Sequence, residues 1–245
     1  MYPFNRVGGI VIAISWIFTV ICLICFFSIN ITFWLAVKVF LFWLFGLFLF
    51  RLGYLLSIKI YASKIVKKLK KVSNFEEEVS VIVIDSPILN AFAFRDKLIK
   101  GKRYIMITSG IANLCTKEEL NFVIAHEFAH HKENHFLTTI ISKLAFPALI
   151  SIVSIFTSSV VTAAITMPVM AISSFILRRQ EYEADKIGCE LLRKAGINYN
   201  AISFFKKLEK ILGKNESKMN KVIEFFVADH PSLQKRIEKL SRLKF

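Results

Sequence analysis

Thr116-Lys117-Glu118-Glu119-Leu120-Asn121-Phe122-Val123-Ile124-Ala125-His126-Glu127-Phe128-Ala129-His130 is the stretch on which the reading of this chain turns. It opens with T-x-x-E at Thr116 and Glu119, a capping box that starts a helix cleanly, and the helix is expected to run from Lys117 to about Phe136. Leu120, Val123, Ile124, Phe128 and Ala129 recur at helical spacing, which buries one side and turns the histidines toward a cleft. His126 and His130 then lie one turn apart on one face, as H-E-x-x-H. Two neutral imidazoles so placed can bind one Zn²⁺ from the same side. Glu127 sits on the flank, where it can take a proton from an attacking water. His131 and His135 repeat the spacing without the glutamate, and are read as residues behind the ligands or at the surface. The competing reading is a core or surface helix with incidental histidines.

Composition says where such a site would live. Of 245 residues, 55% are hydrophobic and 24 are Phe, which is too apolar for a soluble protein of this length. Gly8 to Ile31 carries no charge and is long enough to cross a bilayer core. A second span is expected from about Phe33 to Ser57, with Lys38 and Arg51 near its ends, where long side chains reach the headgroups. The two form a tight hairpin; a cleaved signal peptide is the alternative for the first. Lys59, Lys64, Lys67, Lys68, Lys70 and Lys71 follow directly, so by the positive-inside rule this end is cytoplasmic, and Arg6 agrees. The net charge of +15 lies beside the spans and near the C-terminus, without a motif that reads RNA or DNA. Membrane lipids, not nucleic acid, are therefore the expected electrostatic partner.

A further apolar region, Phe136 to Leu177, is long enough for two spans, about Leu144 to Val160 and Val161 to Leu177, or for a re-entrant hairpin. Either route returns the chain to the same side at Arg178 and Arg179. The segment that follows supplies what H-E-x-x-H lacks, since a catalytic zinc normally has three protein ligands and one open position. A metzincin would place glycine and a third histidine where this chain has Glu133 and Phe136. Glu181, with Asp185 one turn later, offers a ligand and a carboxylate able to orient a liganding imidazole, while Glu183 points to another side of the helix.

Asn90-Ala91-Phe92, Ser109-Gly110-Ile111 leading into Glu119-Leu120 and HEFAH, the E-x-x-x-D pair Glu181/Asp185, and His230-Pro231-Ser232-Leu233 followed by Arg236-Ile237 occur in that order. In this the chain resembles the M48 zinc metallopeptidases, and looks closer to the bacterial heat-shock membrane protease type than to the many-spanning CAAX-processing type. The resemblance implies a gluzincin site with one Zn²⁺ per chain on His126, His130 and Glu181, Glu127 as general base and Asp185 behind the ligands. It also implies that Asn90, Ala91 and Phe92 meet substrate and that His230 approaches the developing oxyanion. Loop support by Asn90 and a helix cap by His230 are the plainer readings of those two.

Val79 to Asp85 and Lys102 to Thr108 are β-branched runs flanking a loop, read as a small antiparallel sheet beside the zinc helix. Asn215, Glu216 and Ser217 mark a polar linker. Cys22 and Cys25 in the first span, and Cys115 and Cys189 beyond it, are read as packing residues.

The expected architecture is mainly α with a small antiparallel β-sheet and about four transmembrane or membrane-embedded helices. Residues 1–58 form a two-span hairpin, 59–136 a cytoplasmic strand and zinc-helix segment, 137–177 a second membrane hairpin, and 178–245 the part carrying the third ligand. The expected function is a zinc metalloendopeptidase of the inner (plasma) membrane, multi-pass, with its site facing the cytoplasm, acting on protein or peptide substrates in quality control of membrane proteins. An intramembrane protease is one rival, although charged residues flank the motif. A protease-domain signalling receptor or non-catalytic membrane adaptor is the other.

Overall fold

The computed structural model describes residues 16–24, 33–97, 101–214 and 232–243. The first expected span is represented by a helical stretch at 16–24, and Arg6, Cys25, the linker at 215–217 and His230 lie outside the described residues. The helix of the next expected span continues beyond Ser57. Helix α1, Phe33–Ser73, is one rod of 41 residues, about 60 Å long at 1.5 Å per residue. Its two halves meet different surroundings. Phe40, Phe42, Phe45 and Phe48 are exposed, as a lipid-facing surface would be, whereas Ile58, Ala62, Ile65, Val66 and Leu69 recur on one face and are buried in the core. The lysine run occupies the rest of that second half, so membrane helix and core helix are continuous. Arg51 is paired with Asp85 at the end of the first strand rather than left to reach headgroups.

The sheet differs from expectation in a way the sequence pattern hid. Strand β1 (Val79–Ile84) and β3 (Arg103–Thr108) pair in parallel, in the register Val81↔Ile105, because the connection between them contains another strand, β2 (Ala91–Arg95), antiparallel to β3. The order is β1-β3-β2, a mixed sheet with β2 at an edge. Two strands around one loop suggest a hairpin; the run Ala91-Phe92-Ala93-Phe94 is too brief to mark a third strand by its pattern.

After β3 comes a short helix, α2 (Ser109–Leu114), where Gly110 lies so close to the chain at Pro87 that a Cβ would stand 2.5 Å from the Pro87 carbonyl oxygen. Helix α3, Lys117–Lys132, begins with the expected capping box: Glu119 N–H donates to Thr116 Oγ1, and Thr116 N–H to Glu119 Oε2 at 2.8 Å. It ends four residues earlier than expected, at a left-handed Asn134 (φ 58°). Leu120, Ile124, Phe128 and Ala129 are fully buried, and Asn121, Phe122 and Ala125 are buried too, so the helix lies inside the domain rather than on its surface.

Helix α4 (His135–Ile140) passes through a π-helical turn, Ile141–Ala145, into α5 (Phe146–Phe156). Ser173 of the returning helix donates to the Ser142 carbonyl within that turn, at 3.1 Å. The break falls at Thr157-Ser158, earlier than the expected join at 160/161, and its signal is a serine cap: Ser158 Oγ accepts from Val161 N–H. Helix α6, Ser159–Lys194, then runs uninterrupted through Pro168 from the apolar hairpin into the core. Helices α7 (Ala201–Lys214) and α8 (Leu233–Arg242) close the domain. Three helices among the described residues are long and apolar enough to cross a membrane: Leu35–Ser73, His135–Phe156 and Ser159–Lys194.

Candidate metal centre

Helices α3 and α6 meet where Gly188 stands against Ala125 and His126. A Cβ at Gly188 would lie 3.1 Å from the Ala125 carbonyl carbon and the His126 nitrogen, so glycine there lets the backbones approach closely. The approach aims the carboxylates of α6 at the imidazoles of α3. His126 Nε2 and His130 Nε2 are 3.2 Å apart; Glu181 lies 3.5 Å from the first and 3.4 Å from the second. One ligand atom from each of the three residues falls within 4.8 Å of the others, and His126 and Glu181 are buried. Glu127, next along α3, is 7% exposed.

Asp185 is 2% exposed and stands 2.9 Å from His126 Nδ1, the nitrogen that faces away from Glu181. A carboxylate there fixes the tautomer that leaves Nε2 free to ligate. Arg236, from α8, grips the same carboxylate with two N–H donors, Nε at 2.8 Å and Nη2 at 2.6 Å, and its Nη1 is 3.2 Å from Glu181. Its guanidinium lies over the Phe205 ring, 4.4 Å from the centroid. Burial would lower the Arg236 pKa, but Asp185 and then Glu181 outweigh it and raise it. In the sequence Arg236 stands out only as part of the motif that begins at His230. Its role was not legible, because nothing near it in the chain shows that it ends beside a carboxylate 51 residues away.

The donor set suits a divalent cation. Glu127, Glu181 and Asp185 set three carboxylates against the one guanidinium of Arg236, two formal negative charges in excess, and buried charge of that kind demands compensation. Where no cation sits among these carboxylates, a proton on the His126 ring is the compensation at hand. Burial opposes its protonation, yet the hydrogen bonds to Asp185 and Glu181 prevail and push its pKa up to about 10.

Other expected residues are placed as follows. The i,i+4 pair His131 and His135 does not act as a pair. His131 is buried, with Nε2 2.9 Å from the Tyr104 carbonyl oxygen, and burial pushes its pKa down to about 4. His135 faces His130. Glu183 points away from the ligand cluster, toward His135 at 3.5 Å. Asn90 secures its loop through its backbone, its N–H donating to Thr108 Oγ1 at 3.1 Å and its carbonyl accepting from Thr108 N–H at 3.0 Å. Its side-chain oxygen is buried, without a hydrogen-bond partner among the described residues. Ala91 and Phe92 lie on β2, opposite Ile107 and Met106, and Phe92 is exposed.

A family model for peptidase family M48 matches residues 60–244, about three quarters of the chain. The chain belongs to peptidase family M48. The matched part of this M48 chain begins on the second half of α1 and takes in the sheet, α3, the hairpin and α8. Among solved structures the M48 chain is similar to a crystal structure of Ste24p from S. mikatae, at 20% identity and a TM-score of 0.45 over 96% of this chain, and it spans 65% of that one. No curated protein matches its sequence.

Proposed function

We propose that this chain is a membrane-anchored zinc metalloendopeptidase whose site faces the cytoplasm, and that it serves proteolytic quality control of membrane proteins. The observation that carries the reading is the convergence of His126, His130 and Glu181, from two helices, on one point, with the buried Glu127 following His126 on α3. His126, His130 and Glu181 would hold zinc, which when bound polarises a scissile carbonyl and makes water a stronger acid. Glu127 takes the proton from the attacking water and hands it to the leaving amine. Asp185 and Arg236 hold His126 in its ligating tautomer. The outer edge of β2, beside the zinc helix and without a strand partner among the described residues, can bind an extended peptide through its main chain, which tolerates many sequences. Asn90 and His230 are assigned to substrate and oxyanion from the family motif.

The test is zinc content and casein cleavage by detergent-purified protein. About one zinc per chain, with cleavage lost on chelation and regained on adding zinc, is the expected result. Metal-free protein with unchanged cleavage would refute the proposal.

Orientation has its own test. The lysines from Lys59 to Lys71 should keep the segment after the membrane part of α1 inside, and α6 should bring Glu181 back to the face of His130. Lys70→Cys, Glu118→Cys and Lys214→Cys, each in a chain without its native cysteines, should resist a membrane-impermeant thiol reagent in intact cells and react once the cells are opened. Labelling of Glu118→Cys from outside would overturn the orientation.

A further inference from the structure

The two liganding imidazoles are held from behind in different ways. His126 leans on a carboxylate, Asp185, which Arg236 grips. His130 leans on another imidazole: its Nδ1 is 3.0 Å from His135 Nδ1, the ring centroids 5.0 Å apart and the planes at 74°. His135 is 5% exposed, and its far nitrogen, Nε2, faces the Glu183 carboxylate at 3.5 Å.

From these contacts we propose that His135 is the positioning residue for His130, with Glu183 as its anchor. The proposal rests on the zinc reading above and follows from the donors and acceptors. If His130 ligates through Nε2, the nitrogen nearest Glu181, its proton is on Nδ1, which donates to His135. His135 Nδ1 must then be the acceptor, so its own proton sits on Nε2, where Glu183 faces it. One carboxylate at the end of the chain thus sets the tautomer of both rings.

The backbone is built for this contact. On an unbroken helix a residue five places after His130 would lie about 140° round the barrel and face elsewhere. Here α3 stops, Asn134 takes a left-handed conformation (φ 58°, ψ 33°), and the chain turns so that His135 falls back on His130. Asn is among the few residues that accept this conformation readily. Its side-chain oxygen accepts from Arg95 Nη2 at the end of β2, which pins the turn to the sheet. Glu183 arrives from α6, so ring, turn and anchor come from three elements.

The experiment measures zinc affinity of the full chain in detergent by titration against a zinc buffer, with the visible spectrum of the cobalt-substituted protein as a second readout. His135→Phe keeps the volume and removes the acceptor, and should weaken zinc about 10–100-fold and shift the cobalt bands. His135→Asn returns an oxygen acceptor near the place of Nδ1 and should stay close to wild type in both. His135→Leu, with circular dichroism as a folding check, stands in if the phenylalanine variant does not fold. Wild-type affinity and spectrum in the folded apolar variant would overturn the proposal. So would an asparagine variant as weak as the apolar one. A wild-type chain that binds zinc no better than Glu181→Gln would overturn the site reading itself.

Discussion

Glu127→Gln is expected to lower casein cleavage by about 10²–10⁴-fold while zinc stays bound, the range over which a positioned proton acceptor contributes. Glutamine has the same shape and nearly the same volume, so the buried position next to His126 is kept and α3 is undisturbed. What the amide lacks is a basic oxygen. Water can still reach the polarised carbonyl, but no side chain at this position takes its proton. Glu127 is not among the three residues whose donor atoms converge, so metal content should not change. Initial rates of casein cleavage and elemental analysis of the same preparations test both halves together. Substantial turnover with full metal content would sink the general-base assignment, and loss of zinc would move Glu127 into the ligand set. The variant also separates a protease from an adaptor that keeps the fold without turnover.

The parts of this molecule that were legible in the chain are those written in local patterns. The capping box of α3 depends on Thr116 and Glu119 alone, and the H-E-x-x-H face depends on helical spacing; both were readable from a few consecutive residues. Glu181 and Asp185 were readable as a pair because they too are one turn apart. What escaped was set by tertiary contact or by single backbone conformations. Arg236 has no local partner that explains it, and finds Asp185 only when α8 docks. His135 is read as lying behind the ligands or at the surface, but its contact with His130 in particular depends on the left-handed Asn134, which ends α3 before it. The sheet is mixed rather than the expected antiparallel one, because strand direction depends on how many strands the intervening chain contains, and β2 has only five residues. The end of the expected span at Ser57 and the end of helix α1 at Ser73 are boundaries of different kinds. A change from apolar to lysine-rich sequence marks a change of surroundings, from lipid to core and water, and the helix itself crosses that boundary unbroken.

The choice between the two glutamates of α6 follows from those placements and carries the second large effect. Glu181→Gln should strip zinc from the protein, while Glu183→Gln should leave it nearly full. Glu181 is 7% exposed, within 3.5 Å of both liganding imidazoles, and steadied by Arg236 at 3.2 Å. An amide there removes one charge from the ligand shell and leaves Arg236 facing a neutral oxygen, so the loss should exceed the roughly 10–100-fold that groups behind a ligand contribute. Glu183 is nearly half exposed and reaches the centre only through His135. Its glutamine analogue still presents an oxygen to the His135 N–H, so the tautomer chain survives and only a charge at the rim is lost. Zinc per chain after dialysis against a zinc buffer distinguishes them directly. Equal zinc content in the two variants would remove Glu181 from the ligand set, and a deeper loss in Glu183→Gln would make the residue next to His135 the third ligand, which would require α6 to turn by roughly half a circle at a helix face where Gly188 already locks it against α3.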